Sequence, residues 1–146
     1  MNILVGIDLS EETQAIIKEA RQLATMLKAK VWLLHVAEPE PDFVGYDAGP
    51  QTERDAISQQ FHREHSETQA IADDLRQEGL DVTALLVRGP TAETIINESK
   101  KLEADMIIVG SHGRGAMHRL LVGSISEGVL RHAEKPVLVI PTHNRN

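Results

Sequence analysis

Four short runs of uninterrupted apolar residues constrain this chain more than anything else in it: Ile3-Leu4-Val5, Val31-Trp32-Leu33-Leu34, Met106-Ile107-Ile108-Val109 and Val137-Leu138-Val139-Ile140. A strand with one face in water alternates apolar and polar residues, whereas a continuous run implies burial on both faces, as in a parallel sheet. A fifth run, Val82 to Val87, is interrupted by Thr83 and reads as an edge strand, which its neighbours cover less completely.

Helical patterns lie between the runs. Ser10 followed by Glu11 and Glu12 reads as a helix cap, leading into Ile16, Ala20, Leu23, Ala24 and Leu27 at helical spacing. Ile57, Phe61, Thr68, Ile71, Ala72 and Leu75 form a second stripe that stops at Gly79. A third helix starts at Pro90 and is expected to bury Ile95, Ile96 and Leu102; a fourth runs from about Ser124 to about His132. Strand and helix therefore alternate from beginning to end. Right-handed crossovers then place helices on both faces of an α/β, doubly wound five-stranded parallel sheet, a Rossmann-like arrangement for which the order 3-2-1-4-5 is expected. The 146 residues suit a single domain, and the segment at about 38–51, rich in proline and glycine, is expected to be a mobile flap.

Composition narrows the partners. A formal net charge of −7 repels phosphate backbones and anionic lipid, so nucleic acid is not expected to bind. A small phosphorylated ligand remains compatible, because backbone N–H groups at a helix start act locally. No cysteine is present, which excludes disulfides and thiolate sites. The chain shows no secretory pattern at residue 1 and no run approaching a membrane span, so membrane insertion is not expected and a cytoplasmic location is.

The chemistry is expected just after the fourth apolar run, where the chain reads Gly110-Ser111-His112-Gly113-Arg114-Gly115 and, further on, Gly123-Ser124-Ile125-Ser126-Glu127. In a sheet of this order the strand sequence reverses between the first and fourth strands, and ligands bind outside the strand carboxyl ends at that point. Glycines there let the backbone turn sharply and approach a bound group, and the start of a helix attracts an anion. A purely structural alternative is tight turns plus a capping box between Ser124 and Glu127. Asp8, at the carboxyl end of the first strand, lies beside the same point and is equally readable as a turn residue. Arg114 is a candidate for phosphate oxygens or a solvated loop residue, and His112 a candidate phosphate contact or loop cap. His62 and His65, three apart on one helix, have no further ligand at recognisable spacing and read as solvated.

The spacing Gly110-x2-Gly113-x9-Gly123-Ser124, followed by Lys135-Pro136-Val137-Leu138-Val139-Ile140-Pro141, resembles the universal stress protein family. Ile3 to Ser10, Leu34-His35-Val36, Arg88-Gly89-Pro90 and Ala104 to Gly113 match family landmarks too, so the resemblance covers nearly the whole chain. It implies the ATP-binding branch. By resemblance, Gly110, Gly113, Gly123, Ser124, Ile125 and Ser126 would surround the phosphates and ribose, with Val109 close to the nucleoside. Asp8 and Val36 would face the adenine, Gly6 and Ile7 would lie beside ribose and base, and Gly89 would form the floor. Any Mg²⁺ or Mn²⁺ would be held by the ligand's phosphates. The resemblance further implies a homodimer through Val137 to Ile140, with a higher oligomer open, and a regulatory module with an unidentified protein partner. No residue set for catalysis is visible: a Gly-x4-Gly-Lys-[Ser/Thr] loop is missing, so the alternative is at most a slow ATPase or phosphotransferase. A hydroxyl-rich flavin phosphate loop and the acidic pair of a phosphoacceptor site are missing as well.

Overall fold

The computed structural model describes residues 1–38, 50–112 and 123–142. Along the chain run β1 (Asn2–Ile7), α1 (Thr13–Leu27), β2 (Lys30–Ala37), α2 (Pro50–Gln77), β3 (Val82–Arg88), α3 (Thr91–Lys101), β4 (Met106–Gly110), α4 (Ser124–His132) and β5 (Val137–Ile140). The strands form one sheet of order β3-β2-β1-β4-β5, with every pairing parallel. Val5 of β1 stands level with Leu33 of β2 on one side and Ile108 of β4 on the other. This is the order expected from the apolar runs, and β3, with Thr83, is an edge.

The pleat sends alternate residues to opposite faces, and both faces are covered. Ile3, Val5, Leu33 and Ile108 pack with Ile16, Ile17, Ala20 and Ala24 of α1 and with Ala72 and Leu75 of α2. Leu4, Leu34, Ile107 and Val109 pack on the other face against Ile95 and Ile96 of α3 and Val129 of α4. Gly128 lets α3 and α4 approach closely, since a Cβ there would lie 3.0 Å from that of Ala92. Ile95 and Ile96 are buried as expected, and Leu102, partly buried against the same cluster, caps the end of α3.

Helix starts differ from the sequence reading in three places, the first being α3, which begins at Thr91 with Pro90 as its extended cap residue. Ser10 does not cap α1, which begins at Thr13 behind Glu12 with no side-chain cap. Instead the Asp8 carboxylate accepts hydrogen bonds from the Ser10 N–H (3.0 Å) and hydroxyl (2.6 Å), and Leu9 is held at φ 59°. That local turn competes successfully with capping, as short side-chain-to-backbone bonds do. Ser124 likewise forms no capping box: Gly123 is the cap residue, Ser124 is the first helical residue, and the Glu127 carboxylate pairs with Arg131 (2.8 Å).

Of the segment expected at about 38–51 to be a flap, Pro50 and Gln51 belong to α2, and residues 39–49 lie outside the described residues. Glu38 accepts a hydrogen bond from the Thr91 hydroxyl (2.6 Å), at the start of α3. In α2 the stripe is buried at Thr68, Ala72 and Leu75, whereas Ile57 is exposed. Among the described residues no helix is long and apolar enough to cross a membrane.

Candidate functional site

At the carboxyl ends of β1 and β4 the chain leaves the sheet toward opposite faces, because α1 packs on one side and α4 on the other. That divergence opens a crevice at the strand ends. Gly110 closes β4, Ser111 and His112 follow, and Gly123 returns to begin α4. The Gly123 N–H donates to the Ser111 carbonyl at 2.6 Å, so the two glycine-bearing segments of the motif are bonded to each other. A Cβ on Gly123 would lie 3.1 Å from that carbonyl oxygen, which accounts for a glycine at this position without a ligand. A Cβ on Gly110 would stand 2.9 Å from both Ile16 Cδ1 and Thr142 Cγ2.

Helix α4 presents its positive end to the crevice. Glu127 is the first residue whose N–H bonds back into the helix, to the Gly123 carbonyl (2.9 Å), so the N–H groups of Ser124, Ile125 and Ser126 have no partner inside it. Ser124 is exposed. Ser126 is buried and its hydroxyl donates to the Gly110 carbonyl, with the Ser111 carbonyl oxygen 3.4 Å away. The Ser126 hydroxyl proton is therefore directed at the strand end, while its main-chain N–H belongs to the helix start.

The other candidates are distributed around this point. Asp8 sits directly after β1 in the turn already described, and its carboxylate oxygen also lies 3.4 Å from the Thr13 hydroxyl. Ile7 pairs with His35, and Val36 is buried in β2 beside Val87 of β3. A Cβ on Gly6 would lie 3.4 Å from both Ile95 and Val109, the latter buried in β4. Gly89, at φ +153°, bonds its N–H to the Ala37 carbonyl (3.2 Å) and closes the turn before α3. Ile125 is partly buried against the α3–α4 cluster. Gly113 and Arg114 lie outside the described residues.

Two groups here are ones that sequence reasoning passed over. His35 is buried, its Nδ1 lies 3.0 Å from the Ile7 carbonyl oxygen, and its Nε2 lies 3.4 Å from Glu64 Oε2 of α2. A carbonyl only accepts, so Nδ1 carries a proton. A histidine inside an apolar run was the available signal. Thr142, beyond β5, bonds to both Ser111 and His112. Nothing in the pattern of residues marked it. His62 and His65 join no metal set: among the described residues no group of three or more potential ligands occurs, and His65 lies 3.2 Å from Gln69.

Fold and strand-end geometry define a doubly wound α/β protein in which the start of α4, with N–H groups that have no partner within the helix, stands at the carboxyl end of β4. The universal stress protein family model matches residues 1–141, and the chain belongs to that family. A universal stress protein of Mycolicibacterium smegmatis is 36% identical over 142 residues, covering 94% of this chain and 47% of the relative. The chain thus spans about half the length of that protein. The MJ0577 protein of Methanocaldococcus jannaschii superposes with a TM-score of 0.86 at 28% identity, covering 98% of this chain and 96% of the other. A universal stress protein solved in complex with cAMP shares the fold at a TM-score of 0.70 and 20% identity, over 98% of both chains.

Proposed function

We propose that this chain is an ATP-binding regulatory module of the cytoplasm, whose nucleotide occupancy changes its oligomerisation or its contacts with a protein partner. The observation that carries the reading is the mutual fixing of Gly110–Ser111 and Gly123, which holds the exposed start of α4 open at the β1–β4 switch point. Such a helix start accepts phosphate oxygens through main-chain N–H groups despite the net charge of −7. Gly110, Gly113, Gly123 and the N–H groups of Ser124, Ile125 and Ser126 would cradle the phosphates, and Arg114 would pair with their oxygens. Val109 would meet the nucleoside, Asp8 and Val36 the adenine, and Gly6, Ile7 and Gly89 the ribose side and floor. Mg²⁺ or Mn²⁺ would arrive with the triphosphate and neutralise part of its charge.

The family landmarks support ATP over other phosphorylated ligands, since every position of the Gly-x2-Gly-x9-Gly-Ser spacing is occupied. The sequence holds no Gly-x4-Gly-Lys-[Ser/Thr] loop, which favours holding over turnover. The test is to denature gently purified protein, identify any released nucleotide by chromatography, and titrate fresh protein with ATP. Saturable binding is expected; a wild-type protein that neither carries nor binds ATP overturns the reading. Phosphate release in the same samples separates a binder from an ATPase, and rapid saturable turnover would move the assignment to the enzyme.

We further propose a homodimer through β5. Among the described residues it is an edge strand with one side unpaired, and edges of this kind tend to be covered.

A further inference from the structure

The glycine motif is read as a ligand loop, yet the first turn of that loop is tied down from outside the motif. Ser111 donates its N–H to the Ile140 carbonyl (2.7 Å), which continues the β4–β5 ladder by one step. The chain then runs on through Pro141 to Thr142, whose N–H donates to the Ser111 hydroxyl oxygen (3.0 Å). The Thr142 hydroxyl does two things at once. It accepts from the His112 N–H (3.0 Å) and donates to the His112 carbonyl (2.9 Å), so one side-chain oxygen satisfies both main-chain groups of one residue. Its methyl group fills the space that a Cβ on Gly110 would occupy, 2.9 Å from that position. From the other flank Gly123 and Ser126 hold the Ser111 and Gly110 carbonyls.

We propose that Thr142 is a positioning residue of the nucleotide site: its hydroxyl fixes the peptide plane from which the phosphate loop departs, and its methyl, with Ile16, crowds the space beside Gly110. This rests on the nucleotide reading above. A glycine at 110 thus has an internal use, leaving room for Thr142 and Ile16, and the ligand benefits from the geometry so fixed. Only a residue with a hydroxyl on Cβ can both donate and accept at this distance from the main chain, so threonine and serine are the side chains that fit.

The experiment compares ATP and adenosine binding in wild type, Thr142→Val and Thr142→Ser. Valine keeps the shape and removes both hydroxyl bonds; serine keeps the bonds and removes the methyl. Loss of a pair of positioning bonds beneath the phosphates is expected to weaken ATP binding about tenfold in Thr142→Val, with adenosine changed by less than about twofold and Thr142→Ser close to wild type. Equal ATP affinity in all three proteins overturns the inference, and so does an equal loss for ATP and adenosine, which marks a structural role only. A wild type that binds no ATP overturns the nucleotide reading and this inference with it, so the two failures are distinct. If Thr142→Val does not fold, amide hydrogen exchange on wild type decides: ATP, and not adenosine, is expected to slow exchange of the His112 and Thr142 amides. Exchange unchanged by ATP at both amides overturns the proposal.

Discussion

Ser124 and Ser126 belong to the same helical turn and have opposite uses. Ser126 turns its hydroxyl inward onto the end of β4, while Ser124 faces solvent at the positive end of α4. A carboxylate at position 124 would suit the helix and oppose a phosphate, so the two effects carry opposite signs. Ser124→Glu is expected to leave the melting temperature unchanged or raise it and to weaken ATP binding by about tenfold or more, the cost of like charge at close range. Unchanged ATP affinity in a well-folded Ser124→Glu protein would remove α4 from the phosphate site. His35 carries a second residue-level expectation. Because the Ile7 carbonyl fixes a proton on Nδ1, nitrogen NMR of the ring should show Nδ1 protonated, and His35→Phe should destabilise by about 1 kcal/mol through loss of that buried hydrogen bond. Neither use was legible in the sequence. A serine in an NH-rich turn and a histidine in an apolar run each have several possible partners, and the partners lie on segments distant in the chain.

At the level of elements, α3 and α4 show how one small residue sets a contact. Gly128 leaves room for Ala92, and Gly128→Leu would force the two helices apart; overpacking of this kind costs about 1–3 kcal/mol, measurable by denaturant titration. The long helix α2 reads differently. Its 28 residues extend about 42 Å, against about 23 Å for the seven residues of β3, so a large part of it runs past the strand. That excess explains why Ile57, expected on the buried stripe, is exposed, while Thr68, Ala72 and Leu75 lie against the sheet. Apolar spacing alone cannot say where the sheet beneath a helix stops. Strand β5 carries the association prediction. Val139→Lys is expected to shift the mass in solution from dimer to monomer, and because Val139 also packs near α4, its thermal unfolding should be followed beside the light scattering. A mass unchanged by the substitution would argue against pairing through β5.

The whole molecule is two cores sharing one sheet, and the strands separate them completely. Leu75 belongs to the α1–α2 side and Ile95 to the α3–α4 side. Leu75→Ala is expected to cost about 2–5 kcal/mol and Ile95→Val about 0.5–1.5 kcal/mol. With the sheet between them, the double substitution should equal the sum to within about 0.5 kcal/mol, and a larger departure would show that strain crosses the sheet. By itself the sequence determined the sheet: continuous apolar runs require cover on both faces, and alternation with helices requires parallel crossovers. The spacing of Gly110, Gly113 and Gly123 placed the family as well. Only the tertiary structure decided which hydroxyls face the crevice and which face the protein, that Asp8 turns the chain ahead of α1, that capping yields to that turn, and that Thr142 clasps the base of the loop. Burial patterns are local and repeat along the chain, so they can be read in order; hydrogen bonds between Thr142 and His112, or His35 and Ile7, join residues that only the folded sheet brings together.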